Sequence, residues 1–214
     1  EDGMLQLNND INEYLPWPLN HPVQSTTPMT IQQLMTHTSS IKDNWSAMSD
    51  YYGYPDPTMS LEACMQDYFT VTGENYNANQ NFISATPGTV FNYSNMATAL
   101  NGYITEIVSS MPFDDYCDEH IFEPLCMENT AWHMADLDSN EVARPYSYSN
   151  GNFVANPHYG FADYPDGQLR SSITDLANYM IAFLNEGTLG GTAILSPSSV
   201  NEMWTQQIPS IESK

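Results

Sequence analysis

Apolar positions fall into short helical runs separated by polar stretches rich in Pro, Asn and aromatic residues. The longest run follows Asn95: Ala97, Leu100, Ile104, Ile107, Val108 and Met111 recur at the spacing that puts them on one helix face. Before it, Pro87-Gly88 is a turn dipeptide, and Thr89-Val90-Phe91 suits a short extended strip. Ser94 or Asn95 is the expected cap. Tyr93 therefore stands just before a helix N-terminus, where amide N–H groups and a partial positive charge gather.

The rest of the chain shows the same alternation. Residues 1–20 read as the tail of a helix and an extended exit, with Met4, Leu5, Leu7, Ile11, Tyr14 and Leu15 apolar; residues 18–28 read as loop. Thr30-x-x-Gln33 is a capping box opening a short helix with Ile31, Leu34 and Met35 inward. Residues 43–59 read as an irregular aromatic loop containing Trp45, Tyr51, Tyr52 and Tyr54. Ser60 opens a helix with the face Leu61, Cys64, Met65, Tyr68 and Phe69, and residues 72–86 are an Asn-rich loop. Pro112 starts a further helix with Phe113, Tyr116, Cys117 and Ile121 on one face. Residues 144–155 predict a hairpin turning at Asn150-Gly151, and His158 to Pro165 an aromatic loop. Ser172 and Asp175 cap a helix running to about Glu186 and closed by Gly187. Ser196-Pro197 opens the last helix, with Val200, Met203, Trp204 and Ile208 inward.

Composition narrows the class. At 214 residues, 41% hydrophobic and 12% aromatic, the chain can bury one good core and is not a disordered segment. No apolar run approaches the ~18–20 residues of a membrane span. Residues 1–20 are acidic and hold no signal-peptide core, so a secretion signal, if the protein has one, lies outside them. Twenty-six acidic residues stand against Lys42, Arg144, Arg170 and Lys214, and the net charge of −22 argues against nucleic acid and anionic membranes as partners. It fits a periplasmic or extracellular protein in a saline medium, where self-repulsion is screened. Of the three cysteines, Cys64 reads as a small buried hydrophobe, while Cys117 and Cys126 can pair if the medium is oxidising.

With Pro87-Gly88 and Phe91 before it, Tyr93-Ser94-Asn95 resembles the second motif of the serine penicillin-recognising hydrolases, in particular the class C β-lactamase, D,D-peptidase and esterase branch. Three further stretches, collinear with it, resemble the same family. Asn9-Asp10-Ile11-Asn12-Glu13-Tyr14-Leu15-Pro16 is similar to its DDxxxxYLP segment, and Leu34-Met35-Thr36-His37-Thr38-Ser39-Ser40-Ile41 to its LLTHTSGI. The stretch from Gly167 to Ala177 is similar to its GGLxSTxxDLA, and Pro124-Leu125-Cys126-Met127 stands where the family has PLGM. The resemblance implies an α/β (α+β) fold: an antiparallel sheet flanked by helices plus a mainly helical lobe, with this chain supplying chiefly the helical lobe. It also implies that residues 1–214 are the central part of one hydrolase domain, with the nucleophilic Ser-x-x-Lys upstream and the third motif downstream. Ser40 replaces the family's Gly, so a strained or reshaped turn is expected there.

Two decoys share these motifs. Ser39-Ser40-Ile41-Lys42 is a literal Ser-x-x-Lys, but it follows a helix instead of opening one. Tyr148-Ser149-Asn150 runs into the Asn150-Gly151 turn, with no helix after it. By resemblance Tyr93 and Asn95 are the catalytic candidates, Tyr93 as base or proton relay and Asn95 orienting the first-motif lysine and a substrate amide; the plain alternative for Asn95 is a helix cap. Ionising a free phenol, with pKa near ~10, at neutral pH takes roughly 4 kcal/mol, and a helix N-terminus supplies about 0.3–1 kcal/mol, at most ~2. Nearby cations must do the rest, and the chain has few. Tyr164, Asp166 and Gln168 are candidates for the opposite, substrate-binding rim, with a loop entering the Ser172 helix as the equal alternative. A metal reading of Cys117-x-x-His120, Cys126 and His133 matches no compact zinc module. No dinucleotide, phosphate-loop or His-Glu-x-x-His motif is present, so no cofactor is expected. The favoured expectation is a serine hydrolase acting through an acyl-enzyme on a β-lactam, a D-Ala-type peptide or a small ester. The alternatives are a non-catalytic binding or assembly protein on the same scaffold, or a stand-alone acidic structural protein. Oligomeric state is left open.

Overall fold

The structure, a computed structural model, describes residues 3–208. The first two residues of the expected N-terminal helix tail and Lys214 lie outside them. Helix α4 (Asn95–Ser109) is the spine, and helices α1 (Ile31–Met35), α3 (Leu61–Phe69) and α5 (Phe113–Cys117) and the 3-10 turn Tyr164–Asp166 all pack on it. Its buried face is Met96, Ala97, Ala99, Leu100, Gly102, Tyr103 and Ile104, a wide apolar stripe that closes the main core against Leu34, Leu61, Met65 and Tyr68. At Gly102 a Cβ would lie 2.5 Å from Pro165 Cγ, so the missing side chain lets the 164–166 turn sit on the helix.

Side-chain caps set the helix starts. Thr30 and Gln33 form the reciprocal capping box of α1 (3.2 and 3.1 Å), Ser60 Oγ caps α3, and Ser94 Oγ accepts from the Ala97 amide (3.1 Å) to open α4. Helix α6 (Ile173–Leu184) starts on Ser172, and helix α7 (Pro197–Trp204) on Ser196. Asp175 is buried and ties the start of α6 to the preceding segment, accepting from Asn129 N (2.7 Å) and Thr130 Oγ1 (3.0 Å). Burial raises its carboxyl, and hydrogen bonds from Ser172, Asn129 and Thr130 outweigh that and hold it below the usual carboxylate range.

Strands are short and paired only in twos. Strand β1 (Tyr52–Gly53) pairs antiparallel with β4 (Gly160–Phe161), β2 (Tyr146–Ser149) with β3 (Asn152–Ala155), and β5 (Thr188–Leu189) with β6 (Thr192–Ala193). The β2–β3 hairpin turns at Asn150 and Gly151, both with positive φ (50° and 80°), the conformation a two-residue hairpin needs. A second, smaller core joins Cys117, Phe122, Leu125 and Met127 to Ala182 of α6.

Several expectations are corrected. Residues 3–9 form turns, not a helix tail, before a 3-10 turn at Ile11–Glu13. Met35, Met203 and Trp204 are exposed and Ile208 only half-buried; α1 is too short for its pattern to fix a face, and α7 buries only Val200. The strip Thr89–Phe91 makes bends instead of a strand. Residues 43–59 are partly ordered as helix α2 (Trp45–Met48), a 3-10 turn (Ser49–Tyr51) and β1, with Tyr51 buried and its hydroxyl donating to Asp67. Helix α6 ends at Leu184, before the left-handed residues Glu186 and Gly187. Helix α5 runs on into a π-helical turn, Asp118–Phe122.

Candidate active site

The site is assembled where the turn after α1 meets the loop before α4. His37 (φ 54°) and Ser40 (φ 67°) both take left-handed backbone, so Ser40 holds the conformation that favours glycine, and its buried Oγ has no hydrogen-bond partner. The loop leading to α4 lies on this turn. Gly88 N–H donates to Thr38 O (2.7 Å), Asn92 N–H to His37 O (2.8 Å) and Asn92 Nδ2 to Ile41 O (3.0 Å). Gly88, at φ 86°, makes the reversal that brings the loop there.

Asp43 fixes the start of α4. Its Oδ1 accepts from Ser94 Oγ (3.0 Å) and Met96 N–H (3.2 Å), and its Oδ2 from Asn95 N–H (3.1 Å) and Asn95 Nδ2 (2.8 Å). A carboxylate thus meets two of the helix's free amides and its positive end. Asn95 is the first residue of α4 and not its cap, and its side-chain amide is oriented by Asp43. Tyr93 is 57% exposed and its ring lies 4.4 Å from that of His37. His37 Nδ1 accepts from Ser94 N–H (3.3 Å), so its proton sits on Nε2. Burial lowers the His37 pKa against the opposing pull of Asp43, leaving the ring neutral at pH 7 and no cation for Tyr93. The described basic side chains lie elsewhere: Lys42 lines a separate hollow with His21 and Phe82, Arg144 donates to Asn156 O, and Arg170 to Trp132 O and Tyr159 O.

Beside Asn95 opens a cleft of about 220 Å³ lined by Trp45, Tyr52, Phe161, Asp163 and Asp166. Asp163 is 2% exposed. Burial raises both carboxyls, and the charge of Asp163 raises Asp166 further, so the pair holds a proton above the ordinary carboxylate range. Asp166 lines the same cleft as Asn95. Tyr164 and Gln168 do not. Tyr164 is buried among Phe113, Trp132 and His133, with its hydroxyl 3.4 Å from Asp114 Oδ1. Gln168 is buried and splints two segments, accepting from Phe161 N–H (2.6 Å) and donating to Trp132 O (2.9 Å).

Neither decoy is built for catalysis. Ser39 and Ser40 are buried in a turn that leads to an isolated bridge between Ile41 and Phe82, and Ser149 lies at the exposed end of β2. Cys117 is buried, which pushes its thiol up to about 12, and Cys126 is exposed; both are free thiols. Among the described residues no group of three or more His, Cys, Asp or Glu side chains is placed to hold a metal ion. His133 instead lies 3.5 Å from Asp114 and 3.9 Å from Asp56. No described helix is long and apolar enough to cross a membrane.

Sequence reasoning missed Asp43, His37 and Asp163 as site residues. Asp43 is 52 residues from Asn95, and only the fold reveals that contact. His37 lay inside a quoted motif, but nothing local tied it to Tyr93.

Comparison with known proteins identifies the fold and the family. The fold matches that of the octameric penicillin-binding protein homologue from Pyrococcus abyssi, with a TM-score of 0.67 and 24% identity over 98% of this chain and 46% of that one. It also matches D-amino acid amidase from Ochrobactrum anthropi, solved with L-phenylalanine amide, with a TM-score of 0.63 and 19% identity over 93% of this chain and 53% of that one. These likenesses define the fold, a β-lactamase-like arrangement of which the chain carries the mainly helical part. In sequence, the Beta-lactamase family model matches residues 1–212, and the chain belongs to that family. Protein flp of Staphylococcus aureus strain MW2 is 26% identical over 194 residues, 86% of this chain but 35% of that protein; the chain spans about a third of its relative's length.

Proposed function

We propose that residues 1–214 are the central part of one serine-hydrolase domain that cleaves small acyl substrates through an acyl-enzyme. The observation that carries this reading is the Tyr93–Asn95 step at the start of α4. Asp43 holds Asn95 Nδ2 at 2.8 Å, which turns the amide oxygen away as an acceptor. Tyr93 stands exposed one residue before the cap. In this reading Tyr93 takes the proton of a serine supplied by a Ser-x-x-Lys segment outside this chain and returns it to the leaving group. Asn95 positions the accompanying lysine and the substrate. That lysine supplies the cation that neutral His37 does not, and Tyr93 works as a base only in its company. A β-lactam, a D-Ala-type peptide, a D-amino acid amide and a small ester are the substrates to try, in a periplasmic or extracellular setting. Family membership and the amidase likeness support the choice of acyl transfer.

The test is steady-state hydrolysis by the whole protein that carries this chain. Tyr93→Phe is expected to lower kcat by about 10²–10⁴-fold with KM little changed, the scale of lost proton transfer. A Tyr93→Phe enzyme within about twofold of the parent, against that scale, would remove Tyr93 from the chemistry. Absence of turnover on every substrate would favour a binding or assembly protein on the same scaffold.

A further inference from the structure

We propose that the cleft beside Asn95 is a binding site for a protonated amine, held by the Asp163–Asp166 carboxyl pair between the aromatic walls Trp45, Tyr52 and Phe161. The first ground is an unmatched acceptor. Asp163 is 2% exposed, and no amide or hydroxyl reaches its Oδ1. A buried carboxylate oxygen left this way is costly; the carboxyl's hydrogen bonds, with Asp166 and with its own backbone amide, leave Oδ1 unmatched. The groups that face the pair offer no cation. They are Asp43, Tyr52, and Cys64 and Tyr68 of α3, and burial raises the phenols and the thiol so that they stay protonated.

The second ground is the wall. Trp45 is 65% exposed and Tyr52 46%, yet both border this acidic cleft. Aromatic faces around a carboxylate pair suit an organic ammonium, which gains from both. A hard divalent ion would need about six or more oxygen ligands, and no group of three or more suitable side chains exists among the described residues. The net charge of −22 draws cations toward the surface in general.

Binding is an exchange of cations. The free pair carries one proton; the ammonium brings its own charge and N–H donors, and the shared proton leaves to solvent. Joined to the acyl-transfer reading, on which this step rests, the site makes the substrate an acyl compound with a free amine near its scissile carbonyl, such as an α-amino amide or ester.

The test is calorimetric titration of the whole protein that carries this chain with methylammonium chloride, with formamide as the neutral comparator, in buffers of different ionisation heat. Methylammonium is expected to bind, formamide not, with close to one proton released per site at pH 7 and affinity rising about tenfold per pH unit between the two apparent pKa values. Asp163→Asn should weaken binding by more than about tenfold. Trp45→Leu, at an exposed position that does not endanger folding, should weaken it by about three- to tenfold. Equal binding of formamide, no proton release, or parent-like affinity in Trp45→Leu and Asp163→Asn together would overturn the site. At pH 7, tighter binding of glycinamide than of Nα-acetyl-lysine amide assigns the amine to a small substrate, and the reverse order overturns that assignment. The titration needs no turnover. Binding without hydrolysis in the whole protein would therefore refute the hydrolase reading alone, and hydrolysis without binding would refute this one alone.

Discussion

Removing the Asp43 carboxylate should loosen the start of the spine helix, and its cost follows from the contacts. Asp43→Ala leaves the amides of Asn95 and Met96, the Asn95 side chain and the Ser94 hydroxyl without the acceptor they share. Each hydrogen bond to a charged group contributes about 1.5–3 kcal/mol, and the lost helix-end interaction up to ~2. Water reaches this partly exposed corner and recovers a portion, which leaves a net loss of about 3–5 kcal/mol. Against a total stability of about 5–15 kcal/mol this is a large fraction. The assay is urea denaturation of the parent and variant, followed by far-UV circular dichroism. With a slope of about 2 kcal/mol/M the midpoint should fall by about 1.5–2.5 M. Asp43→Asn keeps one acceptor oxygen but turns donors toward donors, and should lose more than half as much. A midpoint within about 0.3 M of the parent for Asp43→Ala, at that slope, would refute the assignment of Asp43 as the clamp of α4.

Other predictions follow the same logic. Gly102→Ala forces a methyl into Pro165 and should cost about 1–3 kcal/mol while displacing the 164–166 turn; a Tm equal to the parent's would contradict the packing. Asp175 is held below its ordinary range, so its stabilisation is present above the unfolded carboxylate pKa and lost as pH falls through the folded value. Asp175→Ala should therefore lower Tm at pH 7 and by progressively less toward pH 3, and a pH-independent difference would argue against it. Asp163 and Asp166 run the other way. Both raised, they hold more protons folded than unfolded, so the chain loses stability as pH rises above the ordinary carboxylate range. Asp166→Asn should flatten that decline in a pH series of urea midpoints; an unchanged slope would contradict it.

Local sequence carried what local physics decides. Thr30 and Gln33 announced α1, Ser60 and Ser94 stood at real helix starts, and Asn150-Gly151 made the hairpin. These features act over a few residues, so their signature is contiguous. The placement of Tyr93 and Asn95 at the start of α4 was legible for the same reason. What escaped was set by contacts between distant segments. Asp43 carries no local signal, and only the fold brings it onto α4. Tyr164 read as a rim aromatic, but Gly102 lets its turn press onto the helix and the ring goes inside. Composition named residues 72–86 a loop without revealing that Asn81 is fully buried and anchors it, donating to Tyr68 O (2.9 Å) and Asn75 O (3.0 Å). The outward Met35 and Trp204 show the limit of periodicity in helices of one or two turns, where too few positions define a face.

The most direct test of the central claim is intact-mass spectrometry of the whole protein that carries this chain, after reaction with a fluorophosphonate serine probe. The account predicts a single adduct, mapped by peptide analysis to a serine outside residues 1–214, and an adduct rate that falls by about 10²-fold or more in Tyr93→Phe. No adduct, or one on Ser39 or Ser40 that forms at the parent's rate without the Tyr93 hydroxyl, would contradict it.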